Sequence, residues 1–187
     1  MKVNLKSLLA IGVLVELCIV LVAYLTTESE GELFKIAARY SGRLSLVVFL
    51  LAFFWFTKSY SLLKKMDTAA KHLVLVFAVL HMIHFGLLAT NVIVNDIPLE
   101  AHKLAGGALA YLMIVIAPFR LHVLKLSYQL VYFYYVTFVM IMTYIARVKG
   151  DFEGAEPFWF HYLALSVLIF CSIMFGIGLY KKRQKDA

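Results

Sequence analysis

Three histidines, His72, His81 and His84, interrupt the stretch KHLVLVFAVLHMIHFG over residues 71–86, which is otherwise apolar enough to lie in lipid. An ionisable side chain in hydrocarbon has to be paired, hydrated or ligated, so its presence there signals function. A neutral imidazole binds iron through one ring nitrogen and needs a hydrogen-bond partner for the other. His81 and His84 stand at i, i+3 and share a helix face, while His72 lies about 120° from eclipsing His84. All three can therefore look into a helix bundle. One buried histidine is an ordinary interhelical hydrogen-bond donor, but two on one face with a third two to three turns below point to a cofactor or a proton path. Glu16 is the other ionisable group of the apolar interior, read either as a hydrogen-bond partner of a histidine or as part of a proton path. His102, His122 and His161 fall at the ends of apolar runs and read as interfacial.

The elements that must position these groups follow from composition. Of 187 residues 63% are hydrophobic and 16% charged, and the mean hydropathy is +0.87, far outside the range of soluble domains. Six apolar runs come close to the roughly 20 residues a spanning helix requires. The fold class predicted is all-α, a six-helix transmembrane bundle forming a single membrane domain over residues 1–187, with helices at about 7–25, 43–58, 70–91, 103–119, 126–146 and 158–180. The second run is short between Arg43 and Lys58, but long basic side chains can snorkel and let the helix continue past both. The first run lacks a small-x-small cleavage site and reads as a retained helix. Cys18 and Cys171 lie within spans and read as packing residues rather than a redox pair.

With both termini cytoplasmic, 12 of the 18 basic residues fall inside, and Lys35, Arg39, Arg43, Lys103, Arg147 and Lys149 fall outside. Lysine and arginine bias sets orientation, so this topology is the one predicted. The net charge of +7 is then topology and lipid-headgroup contact, and nucleic acid is excluded as a partner. Helix three runs outward from Lys71, which puts His81 roughly 15 Å and His84 roughly 20 Å into the layer. The connecting segments are short, leaving no room for a soluble catalytic domain, and no nucleotide-binding or HExxH motif is present. FWFHY at 158–162 and Tyr180 mark the two interfaces of helix six, and AGGALA at 105–110 predicts close backbone approach to helix four.

The histidine-bearing third helix, with ARYSGRLSLVVFLLAFFW before it and GGALAYLMIVIAPF after it, resembles the ferric reductase-like transmembrane domain, a haem b bundle, over about Ala38 to Arg147. His72 and His84 match in spacing the two ligand positions of two-haem members, and His81 matches the Leu-His site of one-haem members. AHKLAGGALAYLMIV is similar to a segment of cytochrome b561-type proteins, another haem b fold. The ferric reductase resemblance implies opposing histidine ligands on helix five, but LSYQLVYFYYVTFVMIMTYIAR contains none. Gln129 falls where the first would stand, and Met142 lies thirteen residues on. Thioether ligation of haem is known chemistry, which makes Met142 a candidate opposite His84, with His161 as an alternative.

The function these readings imply is that of a membrane cytochrome b-like protein, carrying electrons through haem b between a redox partner protein or quinone and an acceptor. One haem is expected rather than two, with iron ligated from His81 or His84 and with His72, Met142 and His161 as further cofactor-binding candidates. Any catalytic role is that of an oxidoreductase component without its own flavin or NAD(P)H domain, in a bacterial inner membrane. The alternative is a haem-free structural or assembly subunit of a membrane complex. A transporter or proton conduit is a third reading, without a discontinuous helix or inverted repeat behind it.

Overall fold

The computed structural model describes residues 4–59, 66–98, 101–151 and 157–186, with residues 59, 101–105 and 185–186 described by backbone alone. Lys2, Lys64 and Lys65, which enter the charge argument, and the side chains of His102, Lys103 and Lys185 lie outside the described residues. The architecture is all-α, with no strand among the described residues. Its helices are α1 (Leu5–Thr26), α2 (Glu30–Ser59), α3 (Thr68–Val94), α4 (Ala101–Arg120), α5 (Leu126–Lys149) and α6 (Trp159–Asp186), with a 3-10 turn at Leu121–Val123 before α5. All six are long and apolar enough to cross a membrane.

Local chemistry sets the ends. The Asn4 carboxamide accepts the Lys6 N–H at 3.1 Å and opens α1, satisfying one of the donors a helix start leaves over. The hydroxyls of Thr26 and Thr27 close it by donating to the carbonyls of Val22 and Ala23, each at 2.8 Å. Ser29 Oγ accepts the Glu32 N–H at the start of α2, where Glu30 and Glu32 complement the helix dipole. Asp67 caps α3 through the Ala69 N–H and also accepts from the Trp55 indole, both at 3.1 Å. Gly150 ends α5 in the left-handed region, φ 77°, and returns its N–H to the carbonyls of Ala146 and Arg147.

The second helix departs from expectation. It begins at Glu30, thirteen residues before the predicted start near 43. Its first third is charged, so an apolar-run criterion misses it, yet good helix formers and the serine cap carry it there. Arg43, expected at the outer mouth, is instead the fourteenth of 30 residues. Its guanidinium carbon lies 4.6 Å from the centre of the Tyr40 ring.

The chain packs as two compact units. One comprises Met1–Ala52 and Lys71–Pro98, the other Phe53–Ala70 and Leu99–Ala187. In the first, α1 buries Gly12, Glu16 and Ala23, and the Phe49 and Phe77 rings meet at 5.1 Å. The Asn95 carboxamide, at the end of α3, donates to the Gly31 carbonyl at the start of α2. In the second unit Phe53 and Phe56 stack on Phe133 at 4.9 and 4.6 Å. Lys182 of α6 donates to the carbonyls of Thr57 and Lys58, meeting acceptors that the end of α2 leaves over. The expected backbone approach at AGGALA is not found. Among the described residues nothing lies within 4 Å of a side chain built at Gly106 or Gly107, because α5 reaches α4 there through the long Tyr135 side chain, whose hydroxyl donates to the Gly106 carbonyl at 3.2 Å. Trp159, Tyr162 and Tyr180 are exposed near the two ends of α6, as interfacial aromatics would be.

Candidate functional site

The first unit holds a polar stripe in an apolar interior. It is built on Ser41-Gly42-Arg43-Leu44-Ser45 of α2. Ser41 and Ser45 are one turn apart on one face, and both are fully buried. Ser41 Oγ donates to Glu16 Oε1 of α1 at 2.9 Å. Ser45 Oγ pairs with His81 Nδ1 of α3 at 2.7 Å. Between the two serines, Gly42 leaves room for the His84 imidazole, since a Cβ at Gly42 would lie 2.9 Å from His84 Cε1. The rings of His81 and His84 are 5.6 Å apart, and Phe77 packs on His81 at 5.1 Å.

Glu16 sits near the middle of α1 and is 2% exposed. The sequence offers a histidine as its partner or a proton path as its role, and the partner found is Ser41. Its second oxygen, Oε2, is buried without a hydrogen-bond partner among the described residues. Sequence reasoning passed over Ser41, Gly42 and Ser45. The S-x-x-x-S spacing around a glycine was the available signal, because it sets two hydroxyls and a gap on adjoining helix faces.

The remaining candidates lie elsewhere. His72 is half-buried near the start of α3. Nine residues before His81, it is on the opposite side of that helix and roughly 14 Å along it. Met142 belongs to the second unit and is 48% exposed. His161, also in the second unit, is buried. Its Nδ1 accepts the Phe158 N–H at 3.3 Å, and its ring lies 6.2 Å from that of Tyr144. Gln129 is buried and donates from one amide nitrogen to the carbonyls of Leu121 and Leu124, at 3.1 and 3.0 Å. Its work in the fold is to close the turn between α4 and α5. His122 lies half-buried in that same turn. Tyr134 donates to the Ser172 carbonyl at 3.3 Å and so links α5 to α6. Cys18 and Cys171 are free thiols.

Among the described residues no three or more histidine, cysteine or carboxylate side chains form a metal-binding group. Haem iron asks for less, one or two axial ligands, and the fit can be judged at α3. His81 Nδ1 is engaged by Ser45 at 2.7 Å, and a hydrogen bond to one ring nitrogen is the kind of contact that orients a ligating histidine. His84 projects from the same helix face. Among the described residues of this unit, His81 and His84 are the histidines that could offer an axial ligand, and because both stand on α3 they do not form an opposed pair.

The chain matches no protein-family model, no curated protein and no solved structure.

Proposed function

We propose that this is a membrane cytochrome b-like electron-transfer protein that takes haem b at α3, with His81 as axial ligand. The observation that carries the reading is the 2.7 Å contact between Ser45 Oγ and His81 Nδ1. A buried hydroxyl at that distance orients the ring, as ligand imidazoles need. His84, one turn further on, is the competing ligand and is separated from His81 by single substitution. Haem, when bound, supplies a one-electron couple tuned by ligand and burial. The chain's own residues hold the imidazole, and the aromatic Phe77 and Phe49 keep the face dry. Electrons would come from a redox partner protein or the quinone pool, with both termini on the cytoplasmic side of a bacterial inner membrane.

A reduced-minus-oxidised visible spectrum of the purified protein, with haem quantified per chain, tests this directly. A sharp reduced α band near one haem per chain, lost in His81→Ala and kept in His84→Ala, is the expected result. Colourless protein from haem-replete cells would sink the reading. One observation favours the alternative, a haem-free structural or assembly subunit. Gln129, where the resemblance puts a ligand histidine, is committed to capping two carbonyls. That alternative predicts colourless protein whose α3 histidine variants lose a partner on co-purification.

A further inference from the structure

We propose that Glu16 is a proton-binding site within the membrane, its carboxyl taking up and releasing a proton beside the stripe that leads to His81 and His84. The carboxyl is 2% exposed, and its one polar contact among the described residues is the Ser41 hydroxyl at 2.9 Å. Oε2 is buried and unpartnered. A residue kept only for packing or for one interhelical hydrogen bond would not need that second oxygen, since an unsatisfied buried polar atom is a cost that an apolar side chain or a single hydroxyl avoids. A proton on Oε2 makes the group neutral, while Oε1 keeps its serine donor in either state.

The surrounding groups suit this role. From α2 come Ser41, with Arg39 and Arg43 on either side of it in sequence and the Arg43 guanidinium set over Tyr40. From α3 come Leu80, packed at Gly12, then His81, held by Ser45, and His84, seated over Gly42. The hydroxyls of Ser41 and Ser45 lie on one face of α2 about 6 Å apart along its axis, so a proton held at Glu16 borders a line of exchangeable groups. The reaction is the dissociation of a carboxylic acid into carboxylate and proton, with the aqueous buffer as final acceptor. It needs no redox partner, and it stands whether or not haem is bound.

Infrared spectra of the full chain in lipid vesicles, perfused with buffers of stepped pH, read the carboxyl directly. A carboxylic-acid carbonyl band is expected in the wild type. It should be absent from Glu16→Gln, shifted in Ser41→Ala, and replaced reversibly by carboxylate bands as pH is raised. Three results would overturn the assignment. One is a wild-type minus Glu16→Gln difference containing only carboxylate bands at every pH. The second is an acid band that neither titrates nor shifts in deuterated buffer, which would mark a sealed structural hydrogen bond. The third is loss of the acid band on adding sodium at constant pH, which would make Glu16 a metal-cation site. If Glu16→Gln does not fold, the Ser41→Ala shift alone decides, and an unshifted band refutes the site.

Discussion

Ser45 and Gly42 do different work on the same pair of histidines. An interhelical hydrogen bond within a membrane contributes on average only about 0.6 kcal/mol, so Ser45→Ala should fold and melt almost as the wild type does. Loss of a partner that orients a metal-ligating histidine costs about 10–100-fold in metal affinity. The two numbers separate a packing role for His81 from a ligand role. Ser45→Ala is expected to keep its melting temperature in detergent and to retain haem at least tenfold more weakly, measured by haem transfer to an apo-globin acceptor. Gly42→Ala acts through volume instead. A methyl 2.9 Å from His84 Cε1 forces a buried ring to move, and overpacking of this kind costs about 1–3 kcal/mol. A lower melting temperature is expected, with the His84 environment changed and the Ser45 to His81 contact intact, as read by histidine ring signals in magnetic resonance. Unchanged melting would show that the ring has somewhere else to go. Of this cluster the histidines and Glu16 were legible in sequence, because ionisable groups stand out against apolar runs. The serines and the glycine were not, because a residue that holds another side chain in place has no chemistry of its own to notice.

Helix type and number were legible for a similar reason, since runs of lipid-compatible residues need only length to be recognised. The start of α2 was not. A helix of 30 residues is about 45 Å long, well beyond the roughly 30 Å of hydrocarbon it has to cross, and its charged third is held by the Ser29 cap and the Gly31 to Asn95 contact rather than by hydropathy. The role of Gln129 was hidden as well, because a carboxamide that caps carbonyls within its own turn leaves no periodic trace. Gln129→Ala removes two hydrogen bonds of about 0.5–1.5 kcal/mol each, taking the side-chain donor from the Leu124 carbonyl and leaving the Leu121 carbonyl with the Leu124 N–H. Faster amide exchange confined to the α4–α5 turn is the expected result, and unchanged exchange there would show that water replaces the amide. At the far end of α5, Gly150→Ala places a side chain at φ 77°, which should cost more than about 1 kcal/mol and fray the last turn in the same exchange measurement.

At the scale of the whole molecule, the placement of basic residues predicts how the six helices are threaded. With both termini inside, 12 basic residues face the cytoplasm against six outside. The structure alters that count in one direction. Arg39 and Arg43 each lie two residues from Ser41, which touches Glu16 at the middle of α1, so both belong to the helix interior and the outer tally falls from six to four. The predicted orientation is thereby favoured more than the sequence count alone makes it. Lys181, Lys182 and Arg183 end α6 and carry much of it, and Lys182 is also fastened to the carbonyls of Thr57 and Lys58, so the end of α2 and the end of α6 are expected on one side. A reporter active only in the cytoplasm should work when fused after Ala187, and one active only outside should work when inserted beside Asp151. The opposite pattern would reverse every helix. It would also leave 12 basic residues to be translocated, a result that headgroup charge could not explain and that would require a partner subunit to fix the orientation.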